Sequence, residues 1–365
     1  MALLHEIIRL DKNHHPEVEN LVESVTNLLP TKEFDKKHGM PIKMKVCNAA
    51  DYNEALKKRG RIFHLFDEAT RVWLDKNVLK KDKCKNIYSN QLIEILAVLR
   101  YLFKYPYRQL EGVLEDYIHM MRLNLPVPDF STLCRRMAKM SLKIHDHRSE
   151  IQRSRTGKIR VLIDSTGINI YHTTGSHSKE NSALRKLHGR QQTRKMHVVL
   201  DAKTRDVLAM EMTSGVTHDS KPVPDLLRMI KKEITEVYAD AAYDLKQVRQ
   251  ICAERDAKQI IPPRRDARLR SSLKSEADNL WDERNAAIEL IESHETYDEG
   301  RNAWKKSVGY GVRSYVEACM GRFKTIFGYH FMSKSDTARK NELMTKINIL
   351  NHFNHLGMAQ FKKVE

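Results

Sequence analysis

Cysteine is scarce in this chain: five residues in 365, an odd number. Cys47, Cys84, Cys134, Cys252 and Cys319 are scattered, and no two form a C-x-x-C pair. This excludes a disulfide framework and leaves no zinc signature. No run of 18 or more apolar residues occurs, so no membrane-spanning helix is expected. The segment MALLHEIIRLDKNHH has no basic stretch ahead of its short apolar one and no small-residue cleavage pattern, so no secretory leader is expected. A reduced, cytoplasmic protein fits these absences. Acid is also in deficit: 64 Lys and Arg stand against 47 Asp and Glu, a formal charge of +17 with a pI near 9.5. Such an excess favours a polyanionic partner, although ribosomal and membrane-surface proteins share it. The length allows two or three domains and a sizeable core.

The most informative stretch present is YGVRSYVEACMGRFK (310–324). It spaces Tyr310, Arg313, Glu317 and Lys324 by three, four and seven. At roughly 100° per residue these side chains fall within an arc of about 60° on one helix face. Val312, Val316, Cys319, Phe323 and Ile326 form the opposite, apolar face. A carboxylate can hold a divalent cation, and the neighbouring cations and phenol can hold nucleic-acid phosphates. An ordinary amphipathic helix with a solvated polar face has the same pattern, so the stretch alone decides nothing.

Two acidic segments upstream change the weighting. In IRVLIDSTGINIY (159–171) the apolar run Val161, Leu162, Ile163 leads directly into Asp164, with Gly167 close behind. This predicts a buried strand carrying a carboxylate, which is expensive unless paired or metal-bound. In ITEVYADAAYDLKQV (234–248), Val237 and Tyr238 predict a short strand ending in Asp240, with a helix starting near Asp244. Strand ends in open α/β sheets are where sites are commonly built. Either carboxylate alone also fits a turn or a helix cap. The order strand-Asp, strand-Asp, helix-Glu is harder to dismiss.

With these residues the chain resembles the DDE transposases of bacterial insertion sequences, in particular the group related to insertion sequence five. That group's signature, Tyr, two residues, Arg, three residues, Glu, six residues, Lys, is matched without a gap at Tyr310, Arg313, Glu317 and Lys324. Its first Asp lies in an Asp-Ser-Thr-Gly context, found here as DSTG (164–167). Its second lies in an Asp-Gly-Ala-Tyr-Asp context; here DAAYD (240–244) has Ala241 where Gly is usual. YNEALKKRG (52–60), LFKYPYRQLEG (102–112) and LPVPDFSTLCRR (125–136) extend the resemblance, which runs from about residue 45 to 355. It implies an α/β catalytic domain of RNase H-like fold, a mixed sheet flanked by helices, preceded by an all-α N-terminal DNA-binding region.

Punctuation along the chain predicts its organisation. Residues 1–85 form a mostly helical N-terminal region of unassigned function, with a helix at 16–29, a basic stretch at 36–45 and a solvated charge run, KKDKCK (80–85). Residues 86–150 form a helical region with helices at 90–103, 107–121 and 130–144. The last two resemble a helix-turn-helix, with Ser131 as N-cap and Arg135, Arg136 and Lys139 as candidate groove-reading residues. The connection is long and proline-rich for that motif, and a plain three-helix bundle with a basic solvated face remains open. After the basic linker QRSRTGKIR (152–160), residues 157–357 form the catalytic domain. Its expected order is three strands, helix, strand, helix, strand, then the Glu317 helix. Asp201 reads as a hairpin residue, and Asp219 or Ser220 as the cap of a helix over 218–232. A polar insertion occupies 264–300, because Asp240 and Glu317 are 77 positions apart. The segment 174–197 carries Lys179, Arg185, Lys186, Arg190, Arg194 and Lys195 against the single acid Glu180. It predicts a loop lying against DNA phosphates. His172, His177, His188 and His197 match no usual zinc spacing.

The resemblance implies phosphodiester cleavage and strand transfer on transposon ends and target DNA, by a homodimer on paired ends in the bacterial cytoplasm. It implies two Mg²⁺ ions, replaceable by Mn²⁺, with Asp164 bridging both and Asp240 and Glu317 each holding one. Tyr310, Arg313 and Lys324 would hold the end DNA and the scissile phosphate. Two further readings stand beside it: a related two-metal nuclease such as a junction resolvase, and a catalytically silent DNA-binding descendant of a transposase. The Tyr-Arg-Glu-Lys set weighs against the first, and retention of all three carboxylates against the second.

Overall fold

The computed structural model of the protein describes residues 44–75, 87–144, 157–170, 193–271 and 280–363. The helix expected at 16–29, the charge run at 80–85, and Lys179, Arg185, Lys186, Arg190, His172, His177 and His188 lie outside them. The described parts of residues 1–56 and 357–365 belong to one unit, and residues 57–356 to another. In the first, strand β1 (Met44–Val46) pairs antiparallel with β7 (Phe361–Lys363), and helix α1 (Ala49–Arg59) begins. The N-terminal region is therefore not all-α. The strand escapes sequence patterning because its partner comes from the far end of the chain.

The second unit opens with helices α2 (Phe63–Arg71), α3 (Asn90–Phe103), α4 (Tyr107–Met120) and α5 (Phe130–Ala138). Ser89 caps α3 by accepting from the Leu92 N–H at 2.9 Å. Lys104, in the left-handed region at φ 57°, ends it. Leu92, Leu96, Leu110, Leu114, Leu133 and Trp73 form the core between these helices. The Trp73 indole donates to the Pro126 carbonyl at 2.8 Å, tying down the connection before α5. Asp129, not Ser131, is the cap of α5: its Oδ1 accepts from the Ser131 and Thr132 N–H groups at 2.9 and 3.1 Å. The helix stops at Ala138, short of the expected residue 144.

A five-stranded sheet follows, in the order β4-β3-β2-β5-β6. Strands β2 (Lys158–Asn169), β3 (Thr193–Asp201) and β4 (Val207–Ser214) run antiparallel. The Asp201–Asp206 turn is a hairpin, with Asp201 Oδ1 accepting from Lys203 N–H at 2.7 Å. After helix α6 (Val223–Met229), strand β5 (Glu233–Tyr238) lies parallel to β2. Helix α7 (Lys246–Glu254) then leads to β6 (Lys258–Ile260), parallel to β5. Helices α8 (Asp282–Glu292), α9 (Tyr297–Ser307), α10 (Ser314–Phe327) and α11 (Asp336–Leu356) complete the unit. The order of strands and helices is the one the sequence pattern predicts, and the described residues of the insertion at 264–300 contain helix and no strand.

Side-chain alternation along the strands makes two cores. Leu162, Val198, Leu200 and Tyr238 pack with residues of α8 to α11. Val161, Ile163, Val199 and Val237 pack with α6 and α7 on the other face. Helices α8 and α9 cross so closely that a Cβ on Gly300 would meet the Ile291 carbonyl oxygen at 2.2 Å.

Helix α11 joins the two halves through buried polar side chains. Asn341 donates to the Met137 and Ala138 carbonyls, both at 3.0 Å, taking the last carbonyls of α5 that no helical N–H can reach. Asn351 exchanges hydrogen bonds at 2.9 Å with both backbone groups of Val207 on β4. Glu342, fully buried, accepts from the Ser333 N–H at 2.8 Å and from the Lys346 ammonium at 2.6 Å. Burial pushes the Lys346 pKa below its ordinary value, against the pull of Glu342. Breaking such a pair by removing one partner leaves an uncompensated charge. Glu342→Ala should therefore cost roughly 3–5 kcal/mol in urea unfolding. Lys346→Met in the same background should recover a large part of it.

Candidate active site: three carboxylates around one guanidinium

The parallel register of β2 and β5 builds the site. Leu162 is paired with Tyr238, and Asp164 and Asp240 each lie two positions further on. With a period of two, both carboxylates face the side that Leu162 and Tyr238 share with α10. Asp164 lies within β2, opposite Val198 on β3, and the strand continues to Asn169. Asp240 stands just past the end of β5 and caps a 3₁₀ turn, Ala241–Tyr243. In each aspartate one oxygen is held by backbone. Asp164 Oδ1 accepts from the Ser165 N–H and Asp240 Oδ1 from the Ala242 N–H, both at 2.8 Å.

The remaining oxygens turn to Arg313. Its Nη2 lies 3.4 Å from Oδ2 of both Asp164 and Asp240, and its Nη1 donates to Glu317 Oε1. The single helix expected over 310–324 is two elements. Tyr310–Arg313 is a 3₁₀ turn entered through Gly309 at φ +62°, and α10 starts only at Ser314. Val316, Cys319, Met320, Phe323 and Phe327 anchor α10 in the core, while Glu317 is exposed on its first turn.

Burial raises the Asp164 pKa above its ordinary value; the Arg313 charge and the Ser165 N–H oppose this, and Asp240 and Glu317 reinforce it. Burial works against the Arg313 charge, but Tyr310, Asp164, Asp240 and Glu317 together hold its pKa above the usual value. The Tyr310 hydroxyl donates to the Ala239 carbonyl at 3.0 Å, fixing the backbone that carries Asp240. Burial, chiefly, raises its pKa. Lys324 sits two turns beyond Glu317, its ammonium 5.6 Å from the centre of the Tyr329 ring. The resemblance implies DNA contacts for Tyr310 and Arg313; within the fold, Tyr310 holds the Ala239 carbonyl and Arg313 gathers the carboxylates.

The other candidate residues lie elsewhere. Arg135 is exposed on α5, its Nε donating to the Ser131 carbonyl at 3.3 Å. Arg136 donates to Asn90 Oδ1 at 2.8 Å, and Lys139 lies past the helix end. Arg194 and Lys195 belong to β3 rather than to a loop. Arg194 pairs with Asp336 at 3.0 Å, and Lys195 with Asp219 at 2.8 Å. Asp219 is thus an ion-pair partner; Pro222, not Asp219 or Ser220, occupies the cap position of α6. His197 is buried, shares a 2.8 Å hydrogen bond with Thr213, and has its pKa lowered by burial to about 4. One residue that spacing did not single out is Asp244. It is buried and pairs with Arg249 at 2.8 Å and Arg284 at 3.1 Å. Its only sequence signal was its place in DAAYD.

Among the described residues no three His, Cys, Asp or Glu side chains stand close enough to form a ready metal cage. The three carboxylates converge through Arg313 instead. Their chemistry still fits a hard divalent cation: the donors are all oxygen, and in each aspartate only Oδ1 is taken by a backbone N–H.

The raised Asp164 pKa has a measurable consequence. Because the folded value exceeds the unfolded one, its contribution to stability is fully present below the unfolded value and is lost as pH rises through the folded one. Asp164→Asn cannot ionise. It should raise the melting temperature of the metal-free protein at neutral pH, with the gain shrinking as pH falls below the carboxylate range.

Residues 155–351 match a transposase DDE domain, and residues 57–173 match a second one of the same description. Among solved structures, the piggyBac transposase synaptic complex with hairpin DNA is similar at 9% identity, with a TM-score of 0.35 over 83% of this chain and 77% of that one. The Drosophila P element transposase strand transfer complex matches at 12% identity and TM-score 0.29 over 77% and 70%. The Mos1 transposase paired-end complex matches at 10% and 0.21 over 67% and 80%. The first match covers more than half of the chain and includes Asp164, Asp240 and Glu317: the protein belongs to the DDE transposase family.

Proposed function

We propose that this chain is a DNA transposase of the group related to insertion sequence five. In this reading it binds the terminal inverted repeats of its element and catalyses metal-dependent cleavage and strand transfer. It acts as a homodimer on paired ends in the bacterial cytoplasm. The observation that carries the reading is the convergence of Asp164, Asp240 and Glu317, from two strands and a helix, on the single cation Arg313. The sheet order, three antiparallel strands and then two parallel ones, supports an RNase H-like catalytic domain at 157–357. The uninterrupted Tyr310, Arg313, Glu317, Lys324 spacing supports the subgroup.

Asp164, Asp240 and Glu317 would hold Mg²⁺, with Mn²⁺ as a substitute. When bound, such ions supply Lewis-acid charge and lower the pKa of bound water. The protein's own part is to orient and to balance charge. The Ser165 and Ala242 N–H groups fix one oxygen of each aspartate, leaving the other available. Arg313 offsets part of the negative charge of the cluster when no metal is present. With the carboxylates so occupied, Arg313 would present its planar fork to a phosphodiester. Lys324, further along α10, would reach a flanking phosphate.

Duplex binding by residues 86–150 would draw on the exposed Arg135 and Lys139, and on Arg136, whose guanidinium also donates to Asn90. Arg135→Ala should weaken binding to the proper ends more than to random duplex, by the roughly 1–3 kcal/mol of one base contact. Competition isotherms on the two DNAs read this directly; equal losses on both would make Arg135 a phosphate contact.

The decisive experiment incubates the protein with DNA carrying its element's flanking ends and Mg²⁺ and maps the 3′ termini. Asp164→Asn, Asp240→Asn and Glu317→Gln should each abolish cleavage and leave end binding nearly intact. Normal cutting by Glu317→Gln would remove Glu317 from the site.

A further inference from the structure

Residues 264–270 of the insertion, with Trp281, Arg284 and the segment Asp244–Lys246, line a cavity of about 330 Å³ that is separate from the three carboxylates. Five cationic side chains and two carboxylates line it. One carboxylate, Asp244, is spent. It accepts from Arg249 at 2.8 Å, from Arg284 at 3.1 Å, and from the Arg264 N–H at 3.1 Å. Arg284 also donates to the Arg268 carbonyl at 2.7 Å. Both oxygens of Asp244 are thus engaged at the base of the cavity, so it does not serve the arginines of the rim.

Arg264, Arg268 and Arg270 are exposed, as is the second carboxylate, Asp266, so the rim carries three guanidinium groups against one acid. Arg270 stands with its guanidinium 4.9 Å from the centre of the buried Trp281 ring. Among the described residues no carboxylate forms an ion pair with any of these three arginines. Like charges gathered around one hollow repel each other unless an anion joins them, and guanidinium forks match phosphate oxygens. Asp244 is four residues from Asp240, a backbone span of at most about 14 Å. DNA advances about 3.4 Å per base pair along each strand, so a strand lying across Asp240 has phosphates within reach of the cavity.

We propose that this cavity is a second phosphate-binding site, in which Arg264 and Arg268 grip the backbone of duplex DNA beside the cleavage centre. The inference rests on the transposase reading and adds a function to the insertion, which has none otherwise. The ligand is a phosphodiester backbone, so affinity here does not depend on base sequence.

The test measures wild-type and Arg264→Ala/Arg268→Ala protein on a random-sequence duplex by fluorescence anisotropy at several salt concentrations. Circular dichroism checks that the variant is folded; both side chains are exposed, so it should be. Loss of two phosphate contacts should reduce the slope of log affinity against log salt by about 1.8. Arg228→Ala/Lys258→Ala, an exposed pair outside the cavity, provides the charge-matched control and should leave most of the slope in place. If the cavity variant keeps the wild-type slope, or falls no further than the control, the cavity is not a DNA site, while the transposase reading stands on its cleavage assay. If wild-type protein binds no duplex at all, both fail.

Discussion

Two parallel strands in register are the constraint on which the site depends. Once Leu162 on β2 is opposite Tyr238 on β5, Asp164 and Asp240 are side by side on one face of the sheet. A slip of one residue would send a whole strand's side chains to the other face. That slip is resisted by burial on both faces: Leu162 and Tyr238 pack toward α10 and α11, and Val161 and Val237 toward α6 and α7. The apolar cores thus set the position of two charges that would be costly to bury alone.

The third carboxylate arrives by a different route. Glu317 is exposed, and its position comes from α10, which Val316, Met320 and Phe323 fix in the core. Helix α11 supports this arrangement from behind. It takes the carbonyls at the end of α5 with Asn341 and both backbone groups of Val207 with Asn351. Through Glu342 it also holds the segment that follows α10. These buried polar groups are satisfied, so they favour one docking of the helical part on the sheet over its neighbours.

Charge is handled differently at the two ends of the 3₁₀ turn after β5. Asp244 is sealed between Arg249 and Arg284 and serves structure. Asp240 is half open and shares Arg313 with Asp164 and Glu317. The two aspartates stand four positions apart and differ in how many cations each has to itself.

The three carboxylates as a group, the order of strands and helices, and the helical character of the insertion's described residues are legible along the chain. An apolar run ending in Asp, and a Glu on an amphipathic helix, are local patterns that periodicity exposes. The partners of the cations come from the fold. Tyr310 and Arg313 look like ligand-binding residues on a continuous helix, yet a 3₁₀ turn aims one at the Ala239 carbonyl and the other among the carboxylates. Arg194 and Lys195 look like part of a basic loop, yet strand pairing hands them to Asp336 and Asp219. The α5 cap at Asp129 was within sequence reach, since an Asp-Phe-Ser-Thr start offers both Asp and Ser; the stop at Ala138 was not, because Asn341 on α11 takes its last carbonyls. A long charged side chain can pair with any acid the fold brings near, so its partner is a property of distance in space and is not written in its neighbours along the chain.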